Sequence, residues 1–183
     1  MRGMGKFQYF TAVSLDGFIA TDDDSLGWLL NAKETGSEGR IEEFYAGVGC
    51  LVMGGTTYQW ILDHFDGEWP YSGTPVWVFT HHEMPVYPGG DVTLVRGPVT
   101  EFVPDFLRDA GDKDVWVMGG GELAAQFAAA GHLDELILTV MPVVLGSGKR
   151  ILPLTGGVRQ LELLESAAVG NVLELRYALK PAS

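Results

Sequence analysis

Positive charge is scarce in this chain. Against 24 Asp and Glu stand only 12 Lys and Arg, a formal net charge of −12, and no Lys or Arg occurs from Ile41 through Val95. Nucleic acids and anionic membranes are bound through a cationic face, which this composition hardly supplies, so neither is expected as a partner. Cysteine is almost missing as well. The lone Cys50 excludes an internal disulfide and a cysteine-based zinc site. No uninterrupted apolar run approaches the ~20 residues of a membrane helix. The first residues lead directly into alternating apolar positions, without the continuous hydrophobic segment of a signal peptide. The expectation is a cytoplasmic protein. With 46% hydrophobic residues in 183, it can bury the core of a single domain spanning 1–183.

What is present is a repeated pattern. Leu51-Val52-Met53-Gly54-Gly55 and Val115-Trp116-Val117-Met118-Gly119-Gly120-Gly121 are apolar runs ending in glycines, each followed by helical periodicity. A strand, a glycine turn and a helix leave backbone N–H groups pointing at an anion. Two such units in one domain suggest a cradle for a dinucleotide. With no base between Ile41 and Val95, a phosphate at the first unit must be held by amides, helix dipole, hydroxyls or imidazole, unless a base arrives from elsewhere in the fold.

Around these units the periodicity alternates between strand and helix. Lys6–Leu15 reads as a central strand that breaks at Asp16-Gly17, before an acidic loop, Thr21–Ser25. Thr35 and Glu38 have capping-box spacing ahead of a stripe of Ile41, Phe44, Tyr45 and Val48. Val48–Met53 is a strand, and Thr56 or Thr57 caps a helix with stripe Tyr58, Ile61, Leu62 and Phe65. Pro75–Thr80 and Asp91–Val95 are strands, Thr100–Ala110 a helix stopped by Gly111, and Glu122–Ala130 a helix stopped by Gly131. Strand Glu135–Val140 enters a loop, Pro142–Gly148, and Gln160–Ser166 pairs with Asn171–Leu179 around Gly170-Asn171. The fold class is α/β: a three-layer α/β/α sandwich, its mixed sheet mostly parallel, with a C-terminal antiparallel hairpin. That apolar hairpin offers an edge for a homodimer.

Few residues outside the glycines promise chemistry. His81 and His82 are adjacent on a strand end, so their side chains diverge, and His64 and His132 sit near helix ends; no metal site is expected. Glu42 and Glu43 fall away from the apolar stripe and are read as solvated. Asp16 stands where a buried strand leaves the sheet beside the acidic loop, the place where α/β proteins put reactive groups, although an ordinary Asp-Gly turn is the other reading.

Phe10-Thr11-Ala12-Val13-Ser14-Leu15-Asp16-Gly17-Phe18-Ile19-Ala20, Val52-Met53-Gly54-Gly55-Thr56-Thr57-Tyr58, Val117-Met118-Gly119-Gly120-Gly121 and Met141-Pro142-Val143-Val144-Leu145-Gly146-Ser147-Gly148 together resemble the dihydrofolate-reductase-like family. Within it they are nearest the C-terminal reductase domain of the bifunctional riboflavin-biosynthesis deaminase/reductase and its stand-alone relatives. The resemblance implies an NADPH-dependent reductase, with NADH the alternative, that transfers hydride to a C=N or C=O of a small heterocyclic or sugar-like substrate. On that mapping Gly54, Gly55, Thr56 and Thr57 face the adenosine side and pyrophosphate, Thr80 and His81 the 2′-phosphate region, and Gly119, Gly120, Gly121, Glu122 and Leu123 the pyrophosphate. A cis peptide is implied between Gly119 and Gly120. The nicotinamide lies beside Ala12, Asp16 and Ile19 under the acidic loop, and Asp16 orients substrate or relays a proton. Gly55 stands where members commonly carry Arg, which leaves His81, His82 or Arg96 to meet a 2′-phosphate. A substrate phosphate would need Arg2, Lys6, Lys33, Arg40, Lys149 or Arg150. Dihydrofolate reduction and a non-catalytic nucleotide-binding protein are the other functions this fold admits.

Overall fold

Successive side chains on a strand point to opposite faces, and here both faces are covered: Phe7 and Tyr9 pack on one side while Phe10 packs on the other. The computed structural model describes residues 4–32 and 38–180. Arg2, Lys33 and the Thr35 cap lie outside the described residues. Strand β1 (Phe7–Ser14) is followed by β2 (Phe18–Ala20), α1 (Gly27–Leu30), α2 (Glu38–Ala46), β3 (Val48–Gly54) and α3 (Gly55–His64). Then come β4 (Val76–Phe79), β5 (Val92–Val95), a 3-10 turn at Val99–Glu101, α4 (Val103–Ala110), β6 (Asp114–Gly119) and α5 (Gly121–Ala129). The chain ends in β7 (Glu135–Met141), β8 (Lys149–Arg150), β9 (Leu161–Val169) and β10 (Val172–Leu179).

Eight strands form one sheet in the order β5-β4-β3-β6-β1-β7-β10-β9, while β2 pairs with β8. The pairings β5-β4, β4-β3, β3-β6, β6-β1 and β1-β7 are parallel; β7-β10 and β10-β9 are antiparallel. Tyr9 sits between Val117 of β6 and Leu136 of β7, so β1 is central, as its two-faced apolar pattern requires. On one face α4 and α5 bury Phe106, Leu123 and Phe127 against Tyr9, Cys50 and Val52. On the other, α3 buries Tyr58 and Ile61 against Leu51, Met53 and Val78, with Phe44 and Tyr45 of α2 packed alongside. The architecture is the expected α/β/α sandwich with a mixed sheet.

The departures are local. No threonine caps α3: Gly54 is its N-cap, without a side-chain hydrogen bond, so the helix starts two residues early and Thr56 and Thr57 belong to its first turn. Val48 opens β3 rather than closing the α2 stripe. Val99–Glu101 form a separate 3-10 turn, after which Pro104 falls in the first turn of α4, where its missing N–H costs nothing. β2 and β8, too short to show a period, join the acidic loop to the loop before Lys149.

Candidate functional site

Because β3 and β6 are parallel neighbours, both glycine turns emerge at the same edge of the sheet, with Met53 opposite Gly119. They nearly touch: a methyl group added at Gly54 would lie 3.7 Å from the Gly119 carbonyl oxygen and 3.8 Å from the Gly120 nitrogen. The Gly119-Gly120 peptide is cis, as the resemblance implies. The first backbone bond of α5 runs from the Ala124 N–H to the Gly120 carbonyl, leaving the amides of Gly121, Glu122 and Leu123 outside the helical ladder. The first-turn amides of α3 are left likewise. Two sets of donors and two positive dipole ends thus open on one place.

That place is a cleft of about 1880 Å³, well above the ~300–1,000 Å³ of a pocket for one small ligand. Gly54, Gly55, Thr56, Thr57, Thr80, His81, Gly119, Gly120, Gly121, Glu122, Leu123 and Ile19 all line it. Gly121 is fixed by the protein itself, since a β-carbon there would sit 2.2 Å from the Arg150 carbonyl oxygen. A β-carbon on Gly55 would meet Thr80 Oγ1 at 3.0 Å and Thr80 Cβ at 3.1 Å. Thr80 is held in turn by the His82 N–H, which donates to its hydroxyl at 3.0 Å. A side chain at position 55 would therefore have to displace Thr80 by a few tenths of an ångström.

The bases that remain in the cleft are distributed unevenly. Among the described residues its permanent cations are Arg96, just beyond β5, and Lys149 and Arg150 on β8. His82 lines the cleft together with His81, because the chain bends after β4 instead of continuing as a strand that would separate them. Two further candidates, Lys6 and Arg40, are engaged elsewhere. Lys6 Nζ donates to Glu135 at 2.6 Å, and Arg40 Nε lies 2.6 Å from Glu174.

Two of the expected residues do not reach the cleft. The pleat turns Ala12 away from it, and Thr11 lines it instead. Asp16 is an exposed clasp. Its Oδ1 accepts from the Ser14 hydroxyl at 2.7 Å and the Leu145 N–H at 3.1 Å, and its Oδ2 accepts from the Gly146 N–H at 2.7 Å. These bonds hold its carboxyl down at about 2, the Ser14 hydroxyl contributing most. So engaged, Asp16 ties the end of β1 to the loop ahead of β8. The acidic loop is similarly tied, Thr21 bonding to Asp23 and Ser25, and the Ser147 hydroxyl donating to Asp22 at 2.6 Å.

The sequence pattern passed over the far wall of the cleft. Leu26 and Leu30 around α1, Trp60 of α3, and Tyr71 and Met118 line it. The Tyr71 hydroxyl points at the Met118 sulfur, 3.7 Å away. Trp60 stacks on His64, ring centroids 4.4 Å apart. Met118, next to the second glycine turn, was the one of these that adjacency could have flagged.

Comparison with known proteins gives this site its relatives. The model of the family described as the RibD C-terminal domain matches residues 72–175. The chain is 32% identical to the uncharacterised protein YwjB of Bacillus subtilis over 94% of its own length and 97% of that protein's. A structure from Shewanella sp. PV-4, provisionally named a riboflavin biosynthesis protein, is 29% identical with a TM-score of 0.75, covering 96% of this chain and 99% of that one. The Thermotoga maritima diaminohydroxyphosphoribosylaminopyrimidine deaminase/5-amino-6-(5-phosphoribosylamino)uracil reductase shares the fold at 16% identity and TM-score 0.68, over 97% of this chain and 57% of that one. Enterococcus faecalis dihydrofolate reductase, solved with NADP(H), does so at 15% identity and TM-score 0.62, over 99% of this chain and all of that one. The sandwich is therefore dihydrofolate-reductase-like.

Proposed function

We propose, on the premise that this chain belongs to the RibD C-terminal domain family, that it is an NAD(P)H-dependent reductase acting on a C=N or C=O carbon of a small heterocyclic substrate. The observation that carries the reading is the meeting of two glycine turns, so close that a methyl group on Gly54 would contact the other turn, in a cleft large enough for a dinucleotide and a second reactant. The residues present fit the cofactor: amides of α3 and α5 and the Thr56 and Thr57 hydroxyls suit a diphosphate, and Arg96, His81 and His82 suit a 2′-phosphate. When bound, the nicotinamide supplies the hydride.

The chain's own part is to position and to exclude water. Thr11 and Ile19 close the cleft where β1 leaves the sheet. The Asp16 clasp holds the loop that leads to Lys149 and Arg150, which makes Asp16 a positioning residue in this scheme. With Asp16 fixed as a carboxylate, the proton that completes the reduction is assigned to water.

The test is parallel titration of the protein with NADPH and NADH, read by quenching of tryptophan fluorescence, followed by loss of nicotinamide absorbance on a panel of imines and carbonyl compounds. Saturable binding with turnover of at least one compound is expected. Failure of both nucleotides to bind overturns the reading; tight binding with no turnover on any compound replaces it with a non-catalytic nucleotide-binding role.

A further inference from the structure

Among the described residues Tyr9 is the tyrosine whose buried hydroxyl makes no hydrogen bond. The other core tyrosines are served: Tyr45 pairs with Thr74, Tyr58 donates to the Pro85 carbonyl, and Tyr87 donates to that of Gly67. Tyr9 is wholly enclosed in the middle of β1, where phenylalanine would fill the same space without stranding an oxygen, and a stranded oxygen there is costly. Burial pushes its phenol far above the ordinary range, so it keeps its proton and is a donor; the Thr11 hydroxyl draws the value partly back. Thr11 stands two residues further along the strand and so on the same face, but it lines the cleft. Among the described residues its hydroxyl makes one bond, of 3.2 Å, to the Ala12 carbonyl.

The sheet opens at this point. β1 pairs with β6 as far as Tyr9 and Val117, whereas β3 stays with β6 up to Gly119 and β7 stays with β1 up to Ser14. Beyond Tyr9 the two central strands part, with Thr11 on one side of the opening and Met118 and Gly119 on the other, all three lining the cleft. Buried water characteristically joins polar groups that lack other partners. We propose that a water molecule bridges the Tyr9 and Thr11 hydroxyls in this opening and supplies the proton that completes the reduction. The direction of the chain follows from the phenol keeping its proton: Tyr9 donates to the water, the water donates to Thr11 Oγ1, and the Thr11 O–H turns into the cleft. On addition of hydride from the reduced nicotinamide to carbon, the π pair of the C=N or C=O passes to the heteroatom, which takes the Thr11 proton. Thr11 takes a proton from the water in turn. The hydroxide left behind accepts the Tyr9 O–H bond and is reprotonated by solvent as product leaves. Thr11 is thus the catalytic residue and Tyr9, acting through it, a positioning residue. This inference rests on the reductase reading above and deepens it.

A crystal structure of the unliganded protein, at a resolution that shows ordered water, is expected to place one water within hydrogen-bonding distance of both Tyr9 Oη and Thr11 Oγ1; a dry opening overturns the proposal. Kinetics use NADPH and the compound of the imine and carbonyl panel that is reduced fastest. Thr11→Val and Tyr9→Phe, which keep the side-chain shape, should each lower kcat at least about tenfold while KM and the affinity for NADP⁺ hold. Thr11→Ser, which restores the hydroxyl, should return most of the rate. An unchanged kcat in either variant, a loss confined to KM or to NADP⁺ affinity, or no rescue by serine overturns the proposal and leaves the reductase reading standing. If the parent protein binds neither nucleotide or reduces nothing in the panel, it is the reductase reading that falls, and the proton step with it.

Discussion

Glycine can be required at a cofactor turn for two different reasons, and Gly54 and Gly121 separate them. At Gly121 the obstacle is the protein: a β-carbon 2.2 Å from the Arg150 carbonyl oxygen and 2.8 Å from that of Ile151 lies well inside contact distance of two backbone atoms. Gly121→Ala must push the β8 segment off α5. Overpacking of this kind costs roughly 1–3 kcal/mol, and at ~2–4 °C per kcal/mol for a chain of this size the melting temperature should fall by about 2–12 °C. At Gly54 the backbone is ordinary, φ −82 and ψ 163, and a methyl group finds only contacts of 3.7 and 3.8 Å. Gly54→Ala should therefore change stability by less than about 1 kcal/mol, its reduced chain entropy offset by a poorer N-cap. The methyl would nevertheless stand between the two turns, where the diphosphate is expected, and NADPH affinity should drop at least tenfold, about 1.4 kcal/mol. Differential scanning fluorimetry and nucleotide titration on both variants make the comparison. A Gly54→Ala protein that binds NADPH as tightly as the parent would refute the assignment of that space, and a Gly121→Ala protein with unchanged melting would refute the steric argument.

Four further outcomes follow from other contacts. The Asp16 carboxyl lies lower in the folded chain, at about 2, than its ordinary 3.8, so it contributes stability above the ordinary value that is lost as pH falls through the folded one. Asp16→Asn should flatten the fall in melting temperature between pH 4 and pH 2, and an unchanged acid profile would count against the clasp. Burial pushes the Glu135 carboxyl up, but bonds from Lys6, Arg176 and Gln8 outweigh it and hold it lowered. Truncating it in Glu135→Ala leaves the buried Gln8 amide without its partner and two partly exposed cations unpaired, and should cost about 1–3 kcal/mol in urea unfolding, with NADPH affinity unaltered because the cluster lies at the opposite end of the sheet. Arg96→Ala should weaken NADPH at least tenfold more than NADH; equal losses would place the 2′-phosphate elsewhere. Leu161, Leu163 and Leu164 are 41%, 53% and 48% exposed on edge strand β9, and we propose that they meet a second copy, so that sedimentation gives a dimer and Leu163→Glu a monomer.

The layered fold was readable because its signals are periodic and local. β1 is apolar on both faces, Tyr58 and Ile61 of the expected stripe are buried in α3 while Phe65 falls just beyond the helix and is exposed, and Gly170-Asn171 marks the hairpin. The convergence of the two glycine turns on one cleft was readable for the same reason, since glycine turns after apolar strands announce free amides. The rest depends on contacts between residues far apart in the chain. Asp16 looked like an acid poised at a strand end, and only Leu145 and Gly146, brought over it by the fold, reveal a ligand for backbone amides. Nothing in the neighbourhood of Gly55 announces Thr80 as the residue that crowds it. Trp60 and Tyr71 belong to no sequence motif and Met118 reads only as part of a strand, because core packing and a cleft wall draw on the same residue types.

Cys50, wholly enclosed in β3 against α4 and α5, has one more implication. Burial raises its thiol to about 12, so in the folded protein it is both out of reach and un-ionised, and an electrophilic dye can attack only molecules whose central strands have come apart. The natural chain thus carries an intrinsic clock for opening of its sheet, with a single chemical hand, and the slowing of that clock by an added nucleotide would measure cofactor binding without any engineered label.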